Sequence, residues 1–273
     1  MRRNGLRPIV FKRLYAKECS PMNGINFVLE DNGIATLTVD RPQVHNALDW
    51  KAMATFDEVV EAASQSSAIR ALIVTGSGKS FVSGGDLKDL ANYPKRRDGL
   101  RLATLMGKAL EKLKALPVPT IAAINGPARG GGAEIAVACD QRVMAETADI
   151  GFVHARLGIT TAWGGARYLL YIVGYPRALE LLTTGQVLDA DEAHALGLVD
   201  HVAPDGTAME RAREIALQMA QHPTEAVQAA KRLLRYAMER PLIAKHEERR
   251  IFASLWDSEF RRQAVARFLN RSK

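Results

Sequence analysis

"INGPARGGGAEIAVACD" (residues 124–140) places three consecutive glycines, Gly130 to Gly132, one residue ahead of a single acid, Glu134. An apolar run follows and ends at Cys139 and Asp140. The run reads as a helix, so the glycines front a helix start. They allow a sharp backbone turn and remove side chains that would block approach to the chain. The first N–H groups of a helix have no internal partner and sit at the positive end of its dipole. Such a place stabilises a phosphate or an oxyanion that exists only during a reaction. The phosphate reading is weak, because neither GxGxxG nor GK[ST] follows. Two plainer readings stand beside it: a glycine cushion between strand and helix, and an acid favoured by the dipole.

A second stretch repeats the arrangement. "FVSGGDLKDL" (81–90) brings Gly84 and Gly85 to another helix start, with Asp86 as the candidate cap. Two glycine-fronted starts could supply two N–H donors to one carbonyl oxygen, which is an oxyanion hole.

Outward from these stretches, "INFVLEDNGIATLTVDRP" (25–42) reads as two strands around a turn at Asn32-Gly33. Asp49 caps a helix with Met53, Phe56, Val60 and Ala63 on one face. "RALIVTG" (70–76), "TIAAING" (120–126) and "DQRVMAE" (140–146) read as buried strands, with a helix near 98–115 between the first two. Beyond residue 164 the pattern is nearly all helix: near 165–173, 176–183, 190–196, 207–221, 223–238, 241–255 and 257–269, with a short strand in "LVDHVA" (198–203). There is no long repeat.

The chain has 273 residues, 47% hydrophobic and 25% charged, which suits a soluble globular protein with a sizeable core. No apolar run approaches the roughly 20 residues of a membrane helix. Cys19 and Cys139 lack disulfide, metal or redox spacing, so a reducing, cytoplasmic compartment is expected. Of the net charge of +7, five units lie in residues 1–21, where six Lys and Arg face Glu18 alone. This leader reads as a flexible extension, or as a transit peptide that would direct the protein to the mitochondrial matrix. The remaining charge is too small for a nucleic-acid face, and nucleic acid is not expected as a partner. Ser80 and Ser83 do not lie in GxSxG, so a serine nucleophile is not indicated. Nor does any ligand cluster imply a metal or redox cofactor.

"RPQVHNAL" (41–48), "KSFVSGGDLKDL" (79–90), "PVPTIAAINGPARGGGAEIAVACD" (117–140) and "TTGQVLDADEAHALGLVDHV" (183–202), in this order, resemble the enoyl-CoA hydratase/isomerase (crotonase) superfamily. "SEFRRQAVARFLNRSK" (258–273) is similar to its final helix. The resemblance implies an α/β fold, a crotonase-like spiral of ββα units with a C-terminal helical trimerisation region. On that basis residues 1–22 are a basic leader, 23–203 the core with an acyl-CoA site, and 204–273 the helical region that builds a homotrimer or a dimer of trimers. It implies an acyl-CoA substrate, with the N–H groups of Gly85 and Gly131 on the thioester oxygen. The backbone at Ala47 and Leu48 would run along the CoA moiety, with Asp86 and Trp163 also at the substrate.

The superfamily's hydratases use two glutamates. One matches Glu134; at the other position, in "ADIGFVHARLGITTAWGG" (148–165), stands His154. "GFVH", "LGI" and Trp163-Gly164-Gly165, with Trp256 in the tail, resemble the ethylmalonyl-CoA decarboxylase branch. Thr161 departs from it, where proline is usual, and His45 stands where many members have a basic residue near the CoA phosphates. The resemblance therefore implies a lyase in which Glu134 and His154 act on a thioester enolate. Decarboxylation of a short 2-alkylmalonyl-CoA is the first expectation and enoyl-CoA hydration the second.

Overall fold

A computed structural model of the chain describes residues 22–239 and Gln263. The leader 1–21, the helices expected near 241–255 and 257–269, and Trp256 lie outside the described residues.

The chain opens with β1 (Ile25–Leu29) and β2 (Ile34–Val39), paired antiparallel with Phe27 opposite Leu37. Asn32 and Gly33 lie in the turn, as their chemistry predicts. The Asn32 side chain accepts from the Ile34 N–H at 2.9 Å, and Gly33 takes φ +84°, the left-handed region where glycine has no steric penalty. β2 then starts a parallel run through β3 (Ala71–Gly76), β4 (Thr120–Ile124), β6 (Gln141–Ala145) and β9 (His201–Ala203). Every residue of β3 and β4 is buried. A parallel sheet needs cover on both faces, which explains why these strands are continuous apolar runs.

α1 (Trp50–Ser64) starts at Asp49, whose carboxylate accepts from the Ala52 N–H at 2.8 Å. Its Met53, Phe56, Val60 and Ala63 are buried as their spacing requires, and it packs on α3 (Arg96–Ala115). α3 begins two residues earlier than its apolar pattern suggests. The reason is local: the Asp98 carboxylate accepts the Lys95 N–H at 3.1 Å and caps the chain from inside the first turn. Between α1 and α3 lies α2 (Leu87–Leu90).

A second layer is built of very short pieces. β5 (Ala128–Arg129) pairs parallel with β7 (Asp149–Gly151), which pairs antiparallel with β8 (Val187–Asp189). Isolated parallel bridges, Val82 with Ala128 and Leu48 with Gly85, continue this layer. Each parallel strand of the large sheet up to β6 thus leads to a short extended piece of the second layer and then to a helix. This is the expected spiral of ββα units. α4 (Gly131–Ala138) follows β5; α5 (Gly165–Val173) and α6 (Tyr175–Thr184) follow β7; α7 (Ala190–Ala195) follows β8.

α8 (Ala208–Ala220) lies across β3, β4 and β6 and buries Ala212, Ile215 and Ala216. α8 is therefore packed into the core. α9 (Thr224–Glu239) is tied down by charge. Its Lys231 ammonium lies 2.6 Å from Asp140 and donates to the Val118 carbonyl at 2.8 Å. Asp140 also faces Lys114 at 3.4 Å and accepts from the Thr120 N–H at 2.8 Å. Burial by itself would raise the Asp140 carboxyl, but the Lys231 and Lys114 ammoniums and the Thr120 hydrogen bond outweigh it and hold the group below its ordinary value.

Removing Lys231 takes the nearer cation from Asp140 and leaves Lys114 and Thr120 to hold it. Lys231→Ala should lower the unfolding free energy by about 2 kcal/mol in urea titration. The depressed Asp140 pKa adds a sign: its contribution is complete above the usual carboxylate range and fades as pH falls through the lowered value. Asp140→Asn should flatten that part of the acid limb of stability against pH.

Candidate active site

The two glycine-fronted segments meet. A methyl group built on Gly84 would stand 3.0 Å from the Gly131 nitrogen and 3.2 Å from the Arg129 carbonyl. Gly84 takes φ +97°, and Gly130 takes φ +51° with ψ −117°, a combination that side chains do not tolerate. Gly132 packs on the neighbouring layer so tightly that a Cβ would overlap the Val82 carbonyl oxygen at 1.7 Å. The glycines thus serve both readings: some of them cushion contacts, and the same contacts set the two segments side by side.

Both segments present backbone donors. Gly85 faces Leu48 in a parallel bridge, whose hydrogen bonds are made by its neighbours: Leu48 N–H to the Gly84 carbonyl at 2.8 Å, and Asp86 N–H to the Leu48 carbonyl at 2.9 Å. In that geometry the Gly85 N–H points away from the bridge. Gly131 is the first residue of α4, and the first helical bond runs from the Glu134 N–H to the Gly130 carbonyl at 3.1 Å. The Gly131 N–H precedes the ladder and has no intrahelical acceptor.

Glu134 is 1% exposed, yet its carboxylate is fully engaged. One oxygen accepts from the Trp163 and Gly165 N–H groups at 2.8 Å each. The other accepts from Ala162 N–H at 3.4 Å and lies 3.0 Å from His154 Nε2. Its place in the first turn of α4 adds the helix dipole to these donors. Gly165 is one of the residues that sequence reasoning missed: a Cβ there would meet Glu134 Cγ at 2.5 Å, so the carboxylate needs glycine beside it. The doubled glycine after Trp163 was its signal.

His154 sits in the short 3-10 turn Val153–Leu157 and is buried. Its Nε2 faces Glu134, which places the shared proton on that side when Glu134 is ionised. Its Nδ1 is buried without a hydrogen-bond partner among the described residues. The fold thus brings His154 to Glu134.

The remaining expected residues fall around this centre. The Trp163 ring lies against Gly131: a Cβ on that glycine would meet the indole at 2.2 to 2.8 Å. Ala47 and Leu48 are buried, and Arg41 donates to the Ala47 carbonyl and pairs with Asp49 at 2.7 Å. Asn46, fully buried at φ +59°, donates to the Ser77 and Ser80 carbonyls and accepts from the Arg41 N–H. Arg41 and Asn46 therefore hold the Ala47 segment. Asp86 caps α2 through the Lys88 and Asp89 N–H groups and has the Arg41 guanidinium 3.8 Å away. His45 is exposed, with Nδ1 3.4 Å from the Ser80 hydroxyl, and Lys95, Arg96 and Arg97 are exposed. Burial, with Asp140 beside it, pushes the Cys139 thiol up to about 12, so it stays protonated and inert.

A cleft of about 590 Å3 opens beside this centre. It lies between Ala103, Thr104 and Gly107 of α3 and the segment from Thr161 to Gly164, with Lys108, Glu111 and Arg167 at its charged rim. Among the described residues, no group of three or more His, Cys, Asp or Glu could hold a metal, and no helix is long and apolar enough to cross a membrane.

Comparison with known proteins places this geometry. The sequence profile described as enoyl-CoA hydratase/isomerase matches residues 30–273. The chain belongs to the enoyl-CoA hydratase/isomerase family. It is 34% identical over 251 residues to the short-chain-enoyl-CoA hydratase of Clostridium acetobutylicum, covering 91% of this chain and 96% of that one. It is also 34% identical over 247 residues to the ethylmalonyl-CoA decarboxylase of Gallus gallus, covering 89% and 83%. Among solved structures, a putative enoyl-CoA hydratase from Streptomyces coelicolor superposes with a TM-score of 0.87 at 30% identity over 94% of each chain. Family and fold are those the motifs resemble, and the protein is a family enzyme acting on CoA thioesters.

The Glu134 cradle makes a steric prediction. Gly165→Ala should keep the fold, because α5 tolerates alanine, but displace the Glu134 carboxylate. Turnover should fall about 10²-fold or more, the usual scale for losing a positioned acid–base group. Steady-state kinetics alongside a thermal melt would separate this from unfolding.

Proposed function

We propose that the protein decarboxylates a short 2-alkylmalonyl-CoA thioester of the ethylmalonyl or methylmalonyl type. The observation that carries the reading is the pairing of Glu134 with His154 in place of a second carboxylate. In the proposed reaction the Gly85 and Gly131 N–H groups take the thioester oxygen. The bond between the α-carbon and the substrate carboxylate breaks, CO2 leaves, and its electron pair forms the enolate held by the two donors. A proton relayed through Glu134 and His154 then reaches the α-carbon and gives the saturated acyl-CoA.

The substitution at 154 suits this chemistry on electrostatic grounds. A second carboxylate about 4 Å from the substrate's own would cost roughly 4 kcal/mol at an effective dielectric constant near 20. Histidine removes that repulsion, and its Nδ1 has no partner among the described residues to compete with the substrate. Ala47, Leu48, Asp86 and Trp163 would frame the thioester. The reaction as written calls for no metal or redox cofactor.

The second reading is enoyl-CoA hydration, favoured by the relationship to the Clostridium hydratase. Glu134 and His154 would then hold the water between them and deliver its elements across the double bond. We also infer assembly through the apolar side chains left exposed along α5 and α6, Leu170, Tyr171, Tyr175 and Leu179, into a homotrimer or a dimer of trimers.

Incubation with ethylmalonyl-CoA and methylmalonyl-CoA should release CO2, while the enoyl absorbance of crotonyl-CoA stays constant. The opposite pattern would replace decarboxylation with hydration. His154→Glu should lower CO2 release on the order of 10³-fold; an increase would overturn the electrostatic argument.

A further inference from the structure

Trp163 touches Gly131 and also lines a cleft. One face of its environment is Gly131, whose missing Cβ leaves room for the indole: a methyl there would lie 2.2 Å from Cζ3, 2.3 Å from Cη2 and 2.8 Å from Cε3. Trp163 also lines the cleft of about 590 Å3 beside α3. The residue is only 4% exposed, so its ring is packed on nearly all sides. The Trp163 N–H is fixed by Glu134 at 2.8 Å, so the wall and the acid are set by one carboxylate.

The cleft behind the wall is large for what the site is proposed to bind. Its volume is in the range that holds a drug-sized ligand, whereas a methyl or ethyl branch fills a small fraction of it. Its α3 side carries the small residues Ala103, Thr104 and Gly107 beside Lys108 and Glu111 at the rim, and Gly107 is open: a Cβ there would touch only the Ala162 carbonyl at 3.6 Å, an ordinary contact.

We propose that Trp163 is the specificity-determining stop of this enzyme. Its indole ends the acyl site beside Gly131 and keeps acyl chains longer than about four carbons out of the cleft. The proposal rests on the acyl-thioester reading but not on the choice between decarboxylation and hydration. Its consequence is directional: shortening the side chain at 163 joins the cleft to the thioester site and extends the accepted chain length. Each methylene newly buried there should strengthen binding by up to about fourfold.

The experiment is calorimetric titration of purified protein with saturated acyl-CoAs from butyryl- to decanoyl-CoA, which bind without reacting. In the wild-type protein affinity should stop rising beyond butyryl-CoA. In Trp163→Leu the octanoyl-to-butyryl affinity ratio should increase at least tenfold. Trp163→Phe, which keeps a ring against Gly131, should move the ratio the same way by a smaller step, and serves if the leucine variant does not fold. Gly107→Leu added to Trp163→Leu refills the cleft and should return the ratio towards that of the wild type. A wild-type affinity that keeps climbing to octanoyl-CoA would overturn the proposal. So would a parallel loss at all lengths in the variants, the result expected of a wall with a structural role alone. Absence of any acyl-CoA binding by the wild-type protein would take down the thioester reading itself.

Discussion

A carboxylate with 1% exposure must find donors inside the protein, and Glu134 draws on four groups from three backbone N–H positions and one imidazole. An ionised group left unpaired at such a depth would cost several kcal/mol or more. That requirement organises the residues around it. It dictates the course of the chain from Ala162 to Gly165, demands glycine at 165, and brings His154 within 3.0 Å. Through the Trp163 N–H it also places an indole on Gly131. The acid, the imidazole and one of the two proposed oxyanion donors are therefore positioned by a single satisfied charge.

The second constraint is the contact between Gly84 and Gly131. These residues belong to successive ββα units, and only the stacking of one unit on the next brings them together. The second layer that does so is made of pieces two or three residues long, β5, β7 and β8, together with two isolated bridges. Their pairing is non-local, so it depends on the large parallel sheet and its helices to hold the register. The Asp140, Lys231, Lys114 and Thr120 cluster acts on the far side of that framework and anchors α9 to it.

Much of this was legible in the residues. Asp49 and Asp86 cap helices because a short carboxylate reaches the first free N–H groups, and the local pattern suffices to see it. Gly130 and Gly84 announced positive φ at two helix starts, and β3 and β4 announced burial on both faces by being unbroken apolar runs. The second layer was not legible, because two residues cannot display a period. The earlier start of α3 turned on Asp98, a polar residue that apolar spacing does not register. Gly165, Arg41 and Asn46 were missed for one reason: each acts on a chain segment far away in sequence or around a sharp turn, and their partners become visible only after folding. The pairing of His154 with Glu134 was suggested by motif position, and the short 3-10 turn at Val153–Leu157 is the local geometry that realises it.

The groups proposed to polarise the thioester are peptide N–H groups, and every residue carries one. Few side-chain replacements can delete them; what removes them is the gain of a single methyl at a crowded glycine. The mutational target of the electrophilic half of the site is thus small and steric, while the other half rests on the chemical identity of two side chains. On the proposed reaction, exchanging an imidazole for a carboxyl at position 154 would redirect the fate of the same enolate without rebuilding what stabilises it. A hydratase and a decarboxylase stand at the same 34% identity to this one chain.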